Sequence, residues 1–434
     1  MRTVNSFAIK KTNQTRWARA AWPLAFLLCA GLAASADTGP AASPDTGFSG
    51  GDPAGSSSRV YQEGNTWVQE ITGSLPAPRE IKLVTEAGTV QVHGAAQPNL
   101  TYVVKKRVKA GSEEEARKLF SNLRVQAWSQ GEVAVFRGQC ESCYGRMQAR
   151  VDFDVTTPRA TSTVRASTGG GSVGVNNISG TVAVETGGGN IQLDEIGGFA
   201  TASSGGGSIE LGSMGGDVSV DTGGGAIRIK SAGRVAATSG GGSIEVISAR
   251  RAVSAETGAG SIRVLKCGAE VKVESGGGSL EVGDAGGAVT ANTGGGSIRV
   301  VSAQGRVRAG SGGGSIHLAG LTRGVNVETG AGGIIAEFVG FVGGASLTDS
   351  MLETSSGDVT VYLPANVGVT IFGAIEFGSK NSVRSDFGEL RVFSDSDQQW
   401  GPHEILVEGK LNGGGPVLKI RTTTGKIELL RAAK

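Results

Sequence analysis

The chain has few aromatic residues, and its histidines and cysteines are sparse and scattered. Only 5% of the 434 residues are Phe, Trp or Tyr, and there are three histidines and four cysteines. None of His93, His317 and His403 has a Cys or Asp neighbour at the spacing of a metal site or a catalytic triad. We therefore expect a protein that is not an enzyme and that uses no cofactor and no metal ion.

The chain also lacks a charge excess and a second long apolar segment. The 41 Lys and Arg residues nearly balance 39 Asp and Glu, and no basic run stands out. A nucleic-acid partner is therefore not expected. Beyond residue 36 no segment has about 18 consecutive apolar residues, so we expect no membrane insertion once the N-terminal segment is removed.

Residues 1–36 have the pattern of a secretory signal peptide. Bases precede an apolar stretch over 20–33, and the small residues at 34–36 form a cleavage site. An uncleaved anchor is the alternative, whereas Cys29 lacks the small preceding residue of a lipoprotein signal. Residues 37–58, rich in Gly, Ser, Pro and Ala, are predicted to be a flexible linker. The protein should be exported, to the periplasm, the cell surface or the medium.

Glycine is abundant, and much of it recurs at a fixed interval. A Gly-Gly-Gly or Gly-Ala-Gly triplet returns ten times, with eight steps of 18 residues and one of 17. The triplets begin at Gly169, Gly187, Gly205, Gly223, Gly240, Gly258, Gly276, Gly294, Gly312 and Gly330. A period of this length is typical of repeat architectures in which similar units stack.

Apolar and polar residues alternate on both sides of each triplet. Counted from the Thr or Ser before the triplet, positions 6 and 8 are aliphatic, as in Ile209 and Leu211, and positions 15 and 17 are Val or Ala, as in Val218 and Val220. Period-two alternation indicates half-buried strands, and glycine allows the positive φ angles and close backbone approach of a tight turn. The sequence predicts an all-β fold, a parallel β-solenoid (single-stranded β-helix or roll) with 18-residue rungs.

Outward position 7 alternates in charge. It is occupied in turn by Glu210, Arg228, Glu245, Arg263, Glu281, Arg299 and His317. A coil of 18 residues would place opposite charges side by side, whereas a coil of 36 would stack like charges. Position 1 alternates between Thr and Ser, which charge does not explain and a duplicated two-rung unit would. We therefore favour 18 residues and keep 36 open.

The flanking regions keep parts of this pattern. Residues 59–158 are predicted to be an N-terminal β module with one short helix over 112–123, in which Ser112 and Glu115 make a capping box. The apolar stripe of that helix comprises Ala116, Leu119, Phe120 and Leu123. We expect the helix to cover the open end of the stack, with partner binding as the alternative. Residues 159–344 are the regular array, and 345–434 should form an irregular C-terminal β cap with degenerate rungs.

Cys140 and Cys143 form the one short cysteine motif. A single CxxC is a poor zinc site, and the βαβ context of a redox motif is absent. In an oxidising compartment a disulfide between Cys140 and Cys143 is the preferred interpretation, with metal or redox chemistry as the alternative. Cys267 occupies position 11, where other repeats have Ile, Met, Ala or Leu, and should be buried.

The glycine turns do not support two common ligand chemistries. Calcium β-rolls need a regular Asp after the glycines, and a P-loop needs Gly-Lys-Ser/Thr before a helix. Here Ser-Ile and a strand pattern follow the triplets. Position 18 carries a column of acids, which we interpret as a solvated edge rather than a cation or partner site. Its members are Glu185, Asp221, Glu256, Glu274 and Glu328.

The Thr-Gly-Gly-Gly-Ser-Ile-x-Val repeats, the variant at 356–364 and the closing Thr-Gly-Lys-Ile-Glu-Leu at 424–429 resemble the bacterial putative adhesin family of cell-envelope β-solenoid proteins, a domain of unknown function. The resemblance covers residues 80–430 and implies a secreted or surface β-solenoid. The chain departs from the family where Gly-Gly-Gly replaces the more usual Ser-Gly-Asp.

We therefore expect a secreted or cell-envelope, non-catalytic, adhesin-like β-solenoid that presents a repetitive surface to an unknown surface glycan or protein. One alternative is a carbohydrate-active enzyme on a β-helix scaffold, against which the short, uniform turns count because they form no cleft. Another is an envelope assembly or stress module that works through protein contacts.

Overall fold

The structure, a computed structural model, describes residues 56–140, 149–339, 347–394 and 403–432. All of them belong to one compact unit, Gly50–Lys434. Most of the described residues are in strands, which form two long sheets, A and B, whose central strands are parallel. The prediction of an all-β, solenoid-like fold is thus confirmed. The predicted signal peptide and most of the predicted linker lie outside the described residues.

The N-terminal module contains eight strands and the one α-helix of the described ranges. In chain order these are β1 (Ser57–Glu63), β2 (Thr66–Leu75), β3 (Glu80–Thr85), β4 (Val90–Ala95), β5 (Leu100–Val108), α1 (Glu113–Ser121), β6 (Leu123–Gln130), β7 (Val133–Cys140) and β8 (Arg150–Pro158). β1 begins within the predicted linker. In α1 the backbone N–H of Glu115 donates to Ser112 Oγ at 3.2 Å, and Ala116 and Phe120 are buried.

The strands of the array alternate between the two sheets, odd numbers in sheet B and even numbers in sheet A. They are β9 (Thr163–Thr168), β10 (Val173–Ile178), β11 (Thr181–Thr186), β12 (Ile191–Ile196), β13 (Ala200–Ser204), β14 (Ile209–Ser213), β15 (Val218–Thr222), β16 (Ile227–Ala232), β17 (Val235–Ser239), β18 (Ile244–Ala249), β19 (Val253–Thr257), β20 (Ile262–Cys267), β21 (Val271–Ser275), β22 (Leu280–Ala285), β23 (Val289–Thr293), β24 (Ile298–Ala303), β25 (Val307–Ser311), β26 (Ile316–Leu321), β27 (Val325–Ala331) and β28 (Ile334–Phe338).

The C-terminal region continues both sheets. Its strands are β29 (Ser350–Ser356), β30 (Val359–Leu363), β31 (Val369–Gly378), β32 (Val383–Ser385), β33 (Arg391–Ser394), β34 (His403–Leu411), β35 (Val417–Thr424) and β36 (Ile427–Arg431). The last two strands lie between earlier ones, because β35 pairs with both β29 and β31, and β36 with both β30 and β32. The final rung in sequence is therefore not the final rung in space.

Antiparallel strands flank the parallel stack. In sheet A, β4 joins β10 to β8, after which β5, β2 and β1 follow antiparallel. In sheet B, β3 joins β9 to β7, and β6 follows antiparallel. At the C-terminal side β34 and β33 extend sheet B beyond β31 in the same antiparallel manner. The helix α1 packs against β2, β5 and β6.

Within the array each strand is hydrogen-bonded to the strand one repeat further on. Ile191 lies beside Ile209, and Ile209 beside Ile227. The inward side chains form one continuous apolar interior, in which Leu193 and Leu211 are 0–1% exposed. Cys267 is 2% exposed, which confirms its predicted burial. Each buried Val, Leu or Ile contributes roughly 1.5–3 kcal/mol of transfer free energy, so the stacked interior is the main source of stability.

The triplet glycines are needed for close backbone approach. A methyl group built on the first or third glycine, as at Gly205 or Gly207, overlaps the carbonyl oxygen of the preceding rung, whereas at the middle Gly206 it meets no atom within 4 Å. This explains why Ala259 is accepted at a middle position. The prediction of positive φ angles is wrong for triplets 169–171 to 312–314, because none of their glycines lies in the left-handed region. Rung spacing, rather than turn handedness, requires glycine there.

Position 1 forms a column of buried hydroxyl groups that joins successive rungs. Thr222 is 1% exposed. Its Oγ1 donates to the carbonyl oxygen of Gly207 in the preceding rung at 2.7 Å and accepts from the N–H of Gly225 at 3.2 Å. Ser204 makes the same two bonds, to Gly189 at 2.8 Å and from Gly207 at 2.9 Å. Thr and Ser both satisfy this requirement, so their alternation needs no two-rung unit.

Candidate functional site

The outward residues of each sheet form columns, because successive strands keep the same register as far as β26 in sheet A and β27 in sheet B. On sheet A, position 7 is the charged column anticipated from the sequence, and its neighbours are Cα partners in adjacent strands. Arg228 Nη2 lies 2.8 Å from Glu245 Oε2, and Arg263 Nε lies 3.3 Å from Glu281 Oε2. These ion pairs are exposed, and each contributes roughly 0–1 kcal/mol.

Towards the N-terminal side, the same outer face carries a group of mostly uncharged polar side chains across β8, β4, β10 and β12. Five side chains from four neighbouring strands form what we call the polar face, which comprises Gln91, His93, Asp154, Asn176 and Gln192. Gln91 and Asp154 are partners across β4 and β8, and His93 and Asn176 are partners across β4 and β10. Gly174, between Gln91 and Gln192 in register, has no side chain, and the amide group of Gln91 occupies the space above it.

His93 connects two members of the polar face. Its Nδ1 lies 3.0 Å from the amide oxygen of Asn176, and its Nε2 lies 3.8 Å from Asp154 Oδ1. Because an amide oxygen only accepts, the Nδ1 of His93 is the donor in the first contact. No Asp lies near His93 at a triad or ligand spacing in the sequence, and the pairing of β4 with β8 brings Asp154 there.

A shallow groove of about 480 Å³ adjoins the polar face. Asp154 and five Ser or Thr residues are among the residues that line it, the latter being Ser57, Thr72, Ser74, Thr101 and Thr156. A methyl group at Gly73 would overlap the Tyr102 hydroxyl, so the chain passes directly over that ring. Burial raises the pKa of Tyr102, and its ring packs edge-on against Phe136 at 5.3 Å. The packed Tyr102 ring therefore lies beneath the polar residues of the groove.

The acid column at position 18 lies on the outer face of sheet B. Glu256 and Glu274 are Cα partners in β19 and β21, and Lys272 Nζ lies 3.2 Å from Glu274 Oε1. A shallow depression of about 400 Å³ between these acids and Asn292 is open to solvent. Among the described residues no three His, Cys, Asp or Glu side chains are grouped to hold a metal ion.

The structure describes Cys140 and Cys267 but not Cys143. Cys140 ends β7, but Cys143 lies outside the described residues, so their disulfide stays a prediction. The Cys267 thiol donates to the carbonyl oxygen of Arg251 at 3.0 Å, and burial raises its pKa. A raised pKa keeps this thiol protonated and poorly nucleophilic.

The single 17-residue step is compensated by two arginines that sequence reasoning did not single out. The missing residue shortens the turn at Gly233, between β16 and β17. From the next turn Arg250 Nη2 donates to the carbonyl oxygen of Gly215 at 2.5 Å, and Arg251 forms an ion pair with Asp217. The backbone N–H of Arg234, and then Arg251, lower the pKa of Asp217. The 17-residue step is the feature of the sequence that could have indicated this cluster.

His317 and His403 are placed apart from the polar face. His317 continues the charged column between Arg299 and Ile335. His403 begins β34 at the C-terminal side, opposite Gly378. No helix of the described residues has the length and apolar character needed to cross a membrane.

No protein-family model matches this chain, and no curated protein matches it. Solved structures to which this chain is similar include a "putative cell adhesion protein" from Clostridium sporogenes, at 10% identity and a TM-score of 0.19, covering 84% of this chain and 100% of that one. A "putative adhesin" from Bacteroides fragilis has 14% identity and a TM-score of 0.27, with 62% and 95% covered. A "putative adhesin" from Parabacteroides distasonis has 12% identity and a TM-score of 0.29, with 63% and 97% covered.

Proposed function

We propose that the protein is an exported, non-catalytic, adhesin-like β-solenoid that binds a surface glycan through the polar face on sheet A. The observation that carries the proposal is the placement of two glutamines, an asparagine, an aspartate and a histidine on adjacent outward positions of rigid strands. Export rests on the signal-peptide pattern of residues 1–36.

A glycan suits this face because sugars present many hydroxyl groups that both donate and accept. Side-chain amides offer two donors and one acceptor atom, and a carboxylate offers two acceptor atoms. The strands hold these groups about 4.8 Å apart, so several contact one chain of sugars at once. The neighbouring hydroxyl-lined groove extends the same chemistry across β5, β2 and β1.

The binding should be weak at each site. Four or five hydrogen bonds at about 0.5–1.5 kcal/mol each give at most about 7 kcal/mol, before the cost of association. A dissociation constant on the order of 1 mM or weaker follows, since association costs at least about 4 kcal/mol and 1 mM corresponds to about −4.1 kcal/mol. Strong attachment would then need many copies of the protein on one surface, as in other multivalent systems.

We also propose that one coil of the solenoid comprises 18 residues, and that the segments at the two ends protect the stack from aggregation. The hydrogen-bonded register of Ile191 with Ile209 supports the coil. An open edge of a parallel sheet invites aggregation, and strands such as β1 and β6, together with α1, occupy the N-terminal side. Strands β33 and β34 do so at the C-terminal side of sheet B.

The test uses the mature chain, residues 37–434, on an array of defined bacterial and host glycans, displayed as multimers to offset weak binding. The triple variant Gln91→Ala, Asn176→Ala and Gln192→Ala should lose binding. The matched control, Thr201→Ala with Ser219→Ala, alters outward positions of sheet B and should bind like the wild type. Circular dichroism checks that all three proteins fold.

Three results would contradict the proposal. Binding that persists in the triple variant places the site elsewhere, and binding only to proteins in envelope extracts favours an assembly module. Release of new reducing ends from a bound glycan would instead favour the carbohydrate-active enzyme. Fractionation of the cell envelope tests export separately, since a chain retained in the cytoplasm would exclude an adhesin-like role.

A further inference from the structure

The charged column of sheet A has a symmetry that the proposed glycan site does not use. Six consecutive rungs alternate strictly in sign, with two intrachain ion pairs at 2.8 and 3.3 Å. In order the residues are Glu210, Arg228, Glu245, Arg263, Glu281 and Arg299. The six charges of the column therefore sum to zero. When the order of the residues is reversed, the charge at every position changes sign.

A second, partly apolar column runs beside it at position 9. Ile247 and Val301 are 38% and 43% exposed, and Leu265 is half-buried. Leu265 lies between Ile247 and Gly283, because the pairs on either side fix the register. Ile247 and Leu265 occupy the same two rungs as Glu245 and Arg263, which are the centre of the charged column.

From these columns we infer that sheet A is a homodimer interface, in which two copies pack face to face with their stacks antiparallel. The two-fold axis lies along the strand direction, between β18 and β20. This axis places each column over its own reversed copy, so Glu245 faces Arg263 of the second copy and Ile247 faces Leu265. Closed two-fold pairing of identical patches is the commonest form of oligomer.

Every residue of the charged column then meets a residue of opposite charge. Arg228 faces Glu281 of the second copy, and Glu210 faces Arg299. Lys230 faces Gly283, where the missing side chain leaves room for the Lys chain to reach the neighbouring Asp284. Reversing an alternating column about a point between two of its members always gives this match, and the apolar centre supplies a contact that excludes water.

The area of this face sets the strength of the dimer. Six rungs about 4.8 Å apart and strands of five or six residues at about 3.3 Å give a face of roughly 29 by 17 Å. The two copies together would bury about 1,000 Å², which is the lower limit for a specific interface. A weak dimer follows, and because its rim is charged it should dissociate as salt screens the pairs.

The test is a charge exchange between two single variants of the mature chain, followed by sedimentation equilibrium in low and high salt. In Glu245→Arg two arginines face each other in the dimer, and in Arg263→Glu two glutamates do. The dissociation constant of the dimer should be at least roughly tenfold higher for each variant alone than for the wild type. Mixed in equal amounts, they should form a heterodimer, since both central pairs are then opposite in charge.

The mixture separates this interface from a column that only stabilises its own stack. Within one chain each variant keeps its like-charged neighbours, so mixing cannot restore an intrachain ladder. Arg308→Glu, an outward change on sheet B, is the control and should dimerise like the wild type. A wild type that stays monomeric in low salt at about 100 µM would overturn the inference, since the dissociation constant would then lie well above that concentration and correspond to less than about 5.5 kcal/mol. Variants that dimerise unchanged, or a mixture that stays monomeric, would overturn it too.

Discussion

Two neighbouring glycines of one triplet should differ sharply in their tolerance of alanine. Gly206 has no atom within 4 Å of a built methyl group, whereas at Gly207 the methyl overlaps the carbonyl oxygen of Gly189. A carbon atom needs about 3.5 Å from its neighbours, so Gly207→Ala forces the two rungs apart at this turn. Neither residue has a φ in the left-handed region, so backbone strain does not separate them.

The cost at Gly207 has two parts. Overpacking a tight contact costs about 1–3 kcal/mol. Moving the turn also breaks the bond from Ser204 Oγ to Gly189 and the bond from Gly207 N–H to Ser204, at 2.8 and 2.9 Å. Two net hydrogen bonds add about 1–3 kcal/mol, giving about 2–6 kcal/mol in total. Gly206→Ala should change the free energy of unfolding by less than 1 kcal/mol and can stabilise the protein slightly, by about 0.4–1 kcal/mol, because alanine restricts the unfolded chain.

The measurement is chemical denaturation of the two variants and the wild type, monitored by circular dichroism. Repeat proteins can unfold in stages, so amide hydrogen exchange in β12 to β16 is measured as well. The expected loss of protection in Gly207→Ala is local to the rungs on either side of the turn. Equal effects of the two substitutions would refute the reasoning, since the two glycines differ in how closely they approach the neighbouring rung and not in backbone strain.

Three further outcomes are expected. Thr222→Val should destabilise the fold by about 1–3 kcal/mol, since the Gly207 carbonyl and Gly225 N–H lose a buried partner, whereas Thr222→Ser keeps the hydroxyl and should stay within about 0.5 kcal/mol in the same denaturation assay. The pKa of Asp217 is lowered in the folded protein, so its ionised form stabilises the fold at pH values above the ordinary value of 3.8. This contribution is lost as the pH falls through the lower folded pKa. Asp217→Asn should therefore lower the melting temperature at pH 7 but not at pH 2. Titration of the mature chain with a thiol reagent should detect no thiol when native, one on unfolding without reductant, and three after reduction; three without reductant would exclude the predicted disulfide of Cys140 and Cys143.

The local pattern was sufficient to predict the array. Alternation at Ile209, Leu211, Val218 and Val220 identifies which residues face inward, and all four are buried. The reason is physical: in stacked identical units, the contacts between neighbours repeat the period of the sequence. The charged column followed from the same period.

Pairing between distant segments was not predictable in this way. β8 lies beside β4 although more than fifty residues separate them, so Asp154 beside His93 could not be anticipated from spacing. The placement of β35 between β29 and β31 has the same origin. The role of glycine was also only half predicted, because the residue type alone does not distinguish a left-handed turn from a close approach of backbones.

The stacking of each repeat on the next is tested most directly by disulfide trapping on the outer face of sheet B. Thr201 and Ser219 are Cα partners in β13 and β15, and Ser219 and Ala236 are partners in β15 and β17. Adjacent strands lie about 4.8 Å apart, within the range a disulfide spans, whereas strands two apart lie beyond it. In a Cys267→Ala background, Thr201→Cys with Ser219→Cys should crosslink on mild oxidation, as read by mass spectrometry after cleavage at Glu210. Crosslinking of Thr201→Cys with Ala236→Cys instead would contradict the account, since it would place alternate repeats side by side.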